Sequence, residues 1–283
     1  MRVANLQGRL VVVIGDGTAV DVEQASAGRF SADPQAVYAQ WSEFREWWGA
    51  FDASAASTVT FVPTDLGSPV PAPRQLLAIG LNYREHANEV GMGIPDGLPP
   101  VFTKFVSSLT GPDVDVVLPE GDVDWEVELA VVIGQGGRNI DRADAWNHVA
   151  GLTVAQDLSE RVLQMSGPSP QFSLGKSHDG FCPMGPWVVS VDEIDDPEAL
   201  RLTCVADGET LQDGTTAEMI VPVPVLIERL SAVVELYPGD VILSGTPAGV
   251  GFGRSPRRYL HAGTELVSAI EGIGEIRQRF VTA

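Results

Sequence analysis

The chain has 283 residues, of which 44% are hydrophobic, and it carries a formal net charge of −20. This length suffices for a large core, or for a main domain with a smaller one, and so acidic a chain disfavours nucleic acid and anionic membrane surfaces as partners. No apolar run of about 18 residues predicts a membrane span, the N-terminus lacks a signal-peptide pattern and the two cysteines form no C-x-x-C, so we expect a cytoplasmic protein without disulfides or structural zinc.

Residues 1–70 are predicted to form a small N-terminal unit. Two strands are expected around the Asp16-Gly17 turn. A helix is expected to begin at Asp33-Pro34. It carries an aromatic stripe that is more typical of a core than of a ligand platform: Tyr38, Trp41, Phe44 and Trp47. Residues 52–74, rich in Ala, Ser, Thr and Pro, are predicted to be a linker or a crossing strand.

Residues 71–283 are dominated by short β-forming runs, so a β-rich α+β fold is predicted for the larger unit. The predicted strands are Gln75–Ile79, Val114–Leu118, Glu126–Ile133, Trp187–Val191, Arg201–Ala206, Val241–Ser244 and Glu265–Ile270. The predicted helices are fewer: Ala143–Ala150, Ser159–Met165 and Pro222–Ser231.

A histidine and a glutamate, His86 and Glu89, lie three residues apart in a segment that Asn82 can cap and Gly91 can end. On a helix the two side chains would share one face. A carboxylate that accepts a hydrogen bond from one imidazole nitrogen raises the basicity of the ring and suits the other nitrogen to take a proton from water. An exposed helical pair without a chemical role is the alternative that these residues leave open.

The ten residues that follow this pair, 91–100, are rich in Gly and Pro. Such a composition does not favour a regular element. We expect them to form a lid that orders when bound substrate excludes water.

Acidic residues alternate in the segment Asp124-Trp125-Glu126-Val127-Glu128. Because successive side chains of a strand point to opposite faces, Glu126 and Glu128 would lie side by side. Like charges repel there unless a cation lies between them. With Asp157, which follows 29 residues after Glu128, they offer the oxygen-only ligands that suit Mg²⁺ or Mn²⁺ rather than Zn²⁺. From the alternating pair alone, a solvated edge strand stays open as the alternative.

Five sequence motifs occur in one order along the chain, and together they closely resemble the pattern of the fumarylacetoacetate hydrolase family over residues 75 to 280. Each motif alone is weak, but five in register are specific for the family and not for one substrate. They are Asn82-Tyr83 with His86 and Glu89, Asp124 to Leu129, Asp157, Gly175-Lys176 with Asp179, and Pro238 to Gly251 with Gly245-Thr246-Pro247.

The resemblance implies the mixed β-roll of this family, with a metal site at one mouth, a small N-terminal domain and a homodimer built on the main domain. It implies domains at 1–70 and 71–283, and Glu126, Glu128 and Asp157 as ligands of Mg²⁺ or Mn²⁺. His86 and Glu89 resemble the water-activating pair of the acylpyruvate-cleaving members.

The remaining predicted site residues lie near these motifs. Arg161 and Gln164 follow Asp157 on one helical face, where the arginine fork and the amide suit a substrate carboxylate or enolate; a salt bridge is the alternative for Arg161. Lys176 resembles the family lysine that stabilises negative charge or supplies a proton, and a structural counter-ion is its alternative. Thr246 is expected to hydrogen-bond a substrate carboxylate, unless its loop only shapes the pocket.

These residues predict an enzyme that hydrolyses a C–C bond of a 2,4-dioxo acid, either an acylpyruvate or a sugar-derived diketo acid, through a metal-stabilised pyruvate enolate. The same enolate step also serves an oxaloacetate decarboxylase, an isomerase of a hydroxy-diene-dioate or a dehydratase of 2-keto-3-deoxy acids. A non-catalytic metal-binding member of the family is the remaining alternative. Such a member would be expected to lack one of the acids or the His-Glu pair, and here all of them are present.

Overall fold

The computed structural model describes residues 1–91, 93 and 97–282, and within them the fold is a sheet-rich α+β arrangement with few helices, as predicted. The strands are β1 Arg2–Leu6, β2 Arg9–Gly15, β3 Thr18–Asp21, β4 Val59–Thr60, β5 Leu66–Gly67, β6 Leu76–Ile79, β7 Val101–Thr103, β8 Leu109–Thr110, β9 Asp113–Val117, β10 Val123–Asp124, β11 Val127–Ile133, β12 Val149–Gln156, β13 Ser159–Glu160, β14 Cys182–Ser190, β15 Arg201–Ala206, β16 Glu209–Thr215, β17 Val241–Leu243, β18 Glu265–Ile270 and β19 Gly274–Val281.

The helices are short, and those described here do not include one long and apolar enough to cross a membrane. The α-helices are α1 Val22–Ala25, α2 Trp41–Ala50, α3 Arg84–Glu89, α4 Arg161–Gln164, α5 Phe172–Gly175 and α6 Val223–Ser231. The 3-10 helices are Ala36–Gln40, Ala53–Ala55, Pro63–Asp65, Val106–Ser108, Ala145–His148, Val191–Glu193 and Thr216–Glu218.

A twelve-stranded sheet forms the larger layer, in the order β4-β3-β2-β1-β14-β12-β11-β17-β6-β7, with β5 on β1 and β8 on β14. Its central strands β11 and β12 are buried along their whole length. A strand buried on both faces needs a nearly continuous apolar run, and Glu128 is the one charged residue in either of these two strands.

A five-stranded sheet, β16-β15-β18-β19-β9, packs against this layer. Buried and more exposed residues alternate along β15, β18 and β19, which is typical of strands with one face on a core and one towards water. The largest hydrophobic cluster lies between the two sheets, where Leu202 of β15 and Leu266 of β18 join Leu129 and Val131 of β11.

The N-terminal segment is hydrogen-bonded into the large sheet, because β1 pairs antiparallel with β14 as well as with β2. Trp41 and Phe44 of α2 are buried in a hydrophobic cluster that also contains Ala130 of β11 and Val188 of β14. The division at residue 70 therefore stays a prediction, while the aromatic stripe does form part of a core.

Predicted elements and structure differ at several places. The turn at Asp16-Gly17 does join two strands, β2 and β3, but the predicted aromatic helix is a 3-10 turn followed by α2. The predicted helix Ala143–Ala150 is wrong: a 3-10 turn, Ala145–His148, leads directly into β12. Pairing of β12 with both β11 and β14 overrides the local helical pattern. Of the expected lid, residues 92 and 94–96 lie outside the described residues.

A close approach of two backbones fixes the packing of β12 against β14. A Cβ on Gly151 would collide with the carbonyl group of Val189, whereas one on Gly49, near the end of α2, would meet nothing within 4 Å. We expect Gly151→Ala to lower the free energy of unfolding by about 1–3 kcal/mol. Gly49→Ala, the same chemical change, should be neutral or stabilising by up to about 1 kcal/mol. Urea denaturation measures both, and equal stabilities would contradict this packing.

Candidate active site

Three carboxylates meet where β11 begins and β12 ends in the large sheet. Glu126 precedes β11, Glu128 lies within it and Asp157 follows β12, and the Asp157 N–H donates to the Glu126 carbonyl at 2.9 Å. All three residues are buried, and one oxygen of each lies within 4.8 Å of the others. The strand pairing therefore builds the acid triad that the alternating sequence predicts.

Two buried glutamines hold the backbone where β10 gives way to β11. The N–H of Glu126 donates to Gln156 Oε1 at 2.8 Å, and the N–H of Val127 donates to Gln212 Oε1 at 3.0 Å. A buried N–H without an acceptor is costly, so these amides replace the strand neighbour that is missing at the break. Glu126 is thereby held beside Asp157.

Two cations neutralise Glu126. Lys176 Nζ lies 2.8 Å from Glu126 Oε2 and 2.6 Å from Asp157 Oδ2, and Arg161 Nη2 lies 2.7 Å from Glu126 Oε1. Burial alone would raise the pKa of Glu126, but Lys176 and Arg161 outweigh it and lower that pKa to about 2. Burial likewise opposes the charge of Lys176, but Asp157 and Glu126 raise its pKa above the ordinary value. The lysine is therefore an ammonium group at neutral pH.

Glu128 has no cationic partner among the residues that the structure describes. Its Oε2 accepts one hydrogen bond, from the Gly245 N–H at 2.7 Å. Burial, together with the charges of Asp157 and Glu126, raises the pKa of Glu128 well above its usual range. The triad therefore contains one more carboxylate than its neighbours balance.

The buried charges around the triad support a divalent cation. Four acids are buried there, namely Asp124, Glu126, Glu128 and Asp157, against three cations, Lys104, Arg161 and Lys176. Three carboxylate oxygens within reach of one another are hard ligands of the kind that Mg²⁺ and Mn²⁺ take, with waters completing the shell. The donor set therefore fits either ion, and the identity of the metal stays a prediction.

Sequence reasoning missed Lys104, which follows β7. Its side chain is buried, and its Nζ donates to Asp157 Oδ1 at 2.6 Å and to the backbone carbonyl of Lys176. Asp157 thus lies between two ammonium groups, one on each oxygen. The available signal was weak: a single lysine in the apolar run from Val101 to Val106.

The guanidinium of Arg161 is engaged by the protein itself. Its Nε and Nη2 donate to Asp124 Oδ2 at 2.9 and 2.6 Å, and its Nη1 donates to Gln164 Oε1 at 2.9 Å. Asp124 also accepts from the N–H groups of Gly251 and Phe252. The salt bridge left open for Arg161 is therefore present, though buried, and its substrate role stays a prediction.

The predicted pair of His86 and Glu89 is formed, and the loop at Gly249 also binds Glu89. His86 Nδ1 lies 3.3 Å from Glu89 Oε2 on α3, and the Glu89 carboxylate accepts the Gly249 N–H at 3.0 and 3.1 Å. Gly253 packs so closely on Glu89 that any Cβ there would overlap its side chain. An ionised carboxylate only accepts, so Nδ1 carries the proton and Nε2 is the basic nitrogen.

Thr246 is also bound by the protein. Its hydroxyl donates to the Val127 carbonyl at 2.9 Å and accepts from Gln212 Nε2 at 2.8 Å. Its backbone N–H, by contrast, has no acceptor in the described part of the chain. The hydroxyl proton of Thr246 is therefore already engaged, and the role of this residue towards a substrate stays a prediction.

Seven of the nine predicted site residues line a single cavity of about 380 Å³. The other two, Glu89 and Asp157, contact members of this set. Their roles as ligands, base or substrate contacts stay predictions, but their convergence on one cavity is a property of the fold. The seven are His86, Glu126, Glu128, Arg161, Gln164, Lys176 and Thr246.

The sequence profile described as Fumarylacetoacetate (FAA) hydrolase C-terminal matches residues 75–281. The chain belongs to the fumarylacetoacetate hydrolase family. Human mitochondrial oxaloacetate tautomerase FAHD2A is 45% identical over 227 residues, or 80% of this chain and 70% of the human protein. The 2,4-didehydro-3-deoxy-L-rhamnonate hydrolase of Sphingomonas sp. (strain SKA58) is 44% identical over 216 residues, 75% of each chain.

Solved structures of this hydrolase family agree with the fold. A Mycobacterium smegmatis protein provisionally assigned as HpcE is 55% identical, with a TM-score of 0.95 over all of both chains. Maleylpyruvate hydrolase from Sphingobium sp. SYK-6, solved with manganese(II) and pyruvate, is 29% identical, with a TM-score of 0.83 over all of both chains. The tautomerase and the two hydrolases among these relatives are named as enzymes. The cytoplasmic location and homodimer of this chain stay predictions.

Removing the unbalanced carboxylate should have opposite effects on metal binding and on the stability of the metal-free protein. Mutation of a residue that only supports a metal ligand typically lowers metal affinity by about 10- to 100-fold. Loss of a direct ligand should lower the affinity at least as much, so we expect Glu128→Gln to weaken Mn²⁺ binding by about 100-fold or more in calorimetry. Because the pKa of Glu128 is raised on folding, its ionisation opposes folding as the pH rises above about 4.3. The metal-free variant should therefore melt at a higher temperature than the wild type at pH 7, with a smaller difference at pH 4.

Glu89→Gln is the matched control, since it makes the same change in the same site at a residue outside the triad. It should retain Mn²⁺ affinity. Unchanged Mn²⁺ binding by Glu128→Gln would remove Glu128 from the ligand set.

Proposed function

We propose that this member of the family is a divalent-cation-dependent hydrolase that cleaves a C–C bond of a 2,4-dioxo acid. The observation that carries the proposal is the His86–Glu89 pair, because His86 lines the same cavity as Glu126, Glu128 and Lys176. An acid triad alone suits any chemistry that stabilises an enolate. A fixed general base beside it suits attack by water.

The residues that would hold the cation are Glu126, Glu128 and Asp157, and the manganese-bound maleylpyruvate hydrolase supports Mn²⁺ or Mg²⁺ as the ion. When bound, the ion would polarise the oxygens of the 2-oxo acid and stabilise negative charge on the departing pyruvate unit. Thr246 lines the same cavity, and its N–H, which has no acceptor in the described part of the chain, would donate to the substrate carboxylate.

The pair would act on water. Glu89, fixed by the Gly249 N–H, holds the Nδ1 proton of His86, so Nε2 takes a proton as water attacks the carbonyl carbon C4. The C3–C4 bond then breaks, its electron pair stays with C3, and the acyl group leaves as a carboxylic acid. Lys176, an ammonium group that lines the same cavity, would favour the negative charge and supply a proton to C3, which completes pyruvate.

Oxaloacetate tautomerisation is the second candidate, supported by the 45% identity to human oxaloacetate tautomerase FAHD2A. A tautomerase moves a proton between C3 and the C2 oxygen and needs no attack by water. The two functions therefore differ in what they require of Glu89, although both would use the acid triad.

Replacing the carboxylate that supports His86 separates these functions. In Glu89→Gln the oxygen can still accept the Gly249 N–H, which leaves the amide NH₂ towards His86 Nδ1. An NH₂ group donates, so the imidazole proton would move to Nε2 and the base would be lost. We expect acylpyruvate cleavage, measured as pyruvate formation, to fall by about 10²-fold, with Mn²⁺ affinity unchanged.

Oxaloacetate tautomerisation, followed by the loss of enol absorbance, should change far less in the same variant. Equal losses in both reactions would mean that the pair orders the site and does not activate water. A wild-type enzyme inert towards all acylpyruvates but active on oxaloacetate would replace hydrolysis by tautomerisation.

A further inference from the structure

We infer that Arg257, in the segment between β17 and β18, is a specificity-determining residue that binds a second carboxylate at the far end of the substrate. The inference rests on the proposed function, since it names a subclass of 2,4-dioxo acids, those whose tail ends in a carboxylate. It follows from where this guanidinium lies relative to the cavity and from how the neighbouring cations are used.

The two arginines nearest to Arg257 in the sequence are engaged by the protein. Arg254 Nη2 donates to the Leu211 carbonyl at 2.9 Å, and Arg258 Nη1 lies 2.7 Å from Glu209 Oε2. Arg257, by contrast, is exposed and forms no ion pair with an acid in the described part of the chain. Its charge is therefore available to a ligand.

The ring of Phe252 places this unpaired charge beside the cavity. Phe252 lines the cavity, and its backbone N–H donates to Asp124 Oδ2 at 2.9 Å, which fixes the chain at this point. The guanidinium carbon of Arg257 lies 4.1 Å from the centroid of the ring, and that of Arg161 lies 5.6 Å from the same centroid. Cation–π attraction acts within about 6 Å, so both guanidinium groups are held on one side chain of the cavity wall.

This shared ring also brings Arg257 near the acid triad. Arg161 Nη2 lies 2.7 Å from Glu126 Oε1, and the guanidinium carbons of Arg161 and Arg257 are no farther apart than the sum of their distances to the ring centroid. A substrate with its 2-oxo acid head at the triad and its tail along Phe252 would thus bring the end of the tail to Arg257.

A carboxylate is the group that this arrangement suits. The planar fork of a guanidinium offers two parallel N–H donors to a carboxylate. The other arginine and the lysine of the cavity lining, Arg161 and Lys176, are already paired with buried acids. Because the whole chain has a net charge of −20 and so repels anions at long range, an unpaired cation beside the cavity matters most for a substrate with two carboxylates.

Arg84 of α3 is a second exposed arginine that pairs with no acid in the residues described by the structure. It lies two positions before His86, and residues two apart on a helix do not face each other. Asn88, four residues after Arg84, is exposed as well, which places both on the solvent side of α3. Arg84 is therefore a matched control for Arg257, with the same charge and exposure but away from the cavity.

Pairs of 2-oxo acids that differ only at the far end test the inference without turnover. 2-Oxoadipate ends in a carboxylate and 2-oxohexanoate in a methyl group. 2-Oxopimelate and 2-oxoheptanoate form a second pair, one methylene longer, which covers the reach to Arg257. We expect the Mn²⁺-loaded wild type to bind the dicarboxylate of at least one pair more tightly than its partner in calorimetry.

Arg257→Gln should weaken binding of that dicarboxylate by about 5- to 10-fold, between the effects of exposed ion pairs and of charged hydrogen bonds. Binding of the matching monocarboxylate should change by less than about 2-fold. Arg84→Gln removes the same charge and should leave the preference of the wild type. An unchanged circular dichroism spectrum verifies that each variant is folded.

Four results would overturn the inference. One is an unchanged preference in Arg257→Gln, and another is an equal loss in Arg257→Gln and Arg84→Gln, which would mean that exposed arginines act only through the general field. The others are a wild type that prefers the dicarboxylate in neither pair, and a wild type that binds none of the four acids.

Reversal of the charge at the same position provides the converse test. In Arg257→Glu a like charge would face the distal carboxylate, so the monocarboxylate should now bind more tightly than the dicarboxylate. If Arg257→Glu keeps the preference of the wild type, the tail does not lie along Phe252 and the inference fails.

Because binding is measured and not cleavage, the inference and the proposed function fail separately. A protein whose preference for the dicarboxylate depends on Arg257 but which cleaves no acylpyruvate would keep this carboxylate site and lose hydrolysis. A protein that cleaves acylpyruvates with a preference independent of Arg257 would keep hydrolysis and lose the site.

Discussion

The structure around the candidate active site depends on the burial of four carboxylates in the protein interior. Like charges so close together repel strongly where water cannot screen them, and the fold answers with three buried cations from three separate segments. Lys104 follows an edge strand, Arg161 begins α4 and Lys176 directly follows α5. Glu128 remains without such a partner. That residual negative charge favours the binding of a divalent cation at the triad over a network of ion pairs alone.

The same constraint shapes the rest of the cavity. Since Arg161 and Lys176 are paired with Glu126 and its neighbours, their charges lie at the acid end of the cavity, next to the rings of Phe252 and Phe102. The basic nitrogen of His86 approaches from α3, a different element, and is supported by Glu89 and not by the triad. The cavity therefore combines a charged end, formed by the acid triad and its cations, with apolar lining residues such as Phe102 and Phe172.

Much of this was predictable from local sequence. Glu126 and Glu128 alternate within a strand-forming run, so their shared face follows from strand geometry, and β11, β15 and β18 occur close to where their β-forming residues predict them. Lys104 was not predictable, because its partner Asp157 is 53 residues away. Strand β12 was missed in part for the same reason: the pairing that fixes it is with β11 and β14, which no local pattern encodes. The fork of Arg161 suits a substrate carboxylate equally well, and only the fold brings Asp124 to it.

Anomalous scattering from crystals soaked in Mn²⁺ tests most directly whether the unbalanced triad binds a metal. We expect one peak in contact with an oxygen of each of Glu126, Glu128 and Asp157, and no peak there in crystals of Glu128→Gln. A triad without a peak at saturating Mn²⁺, with Lys176 still bridging Glu126 and Asp157, would contradict it.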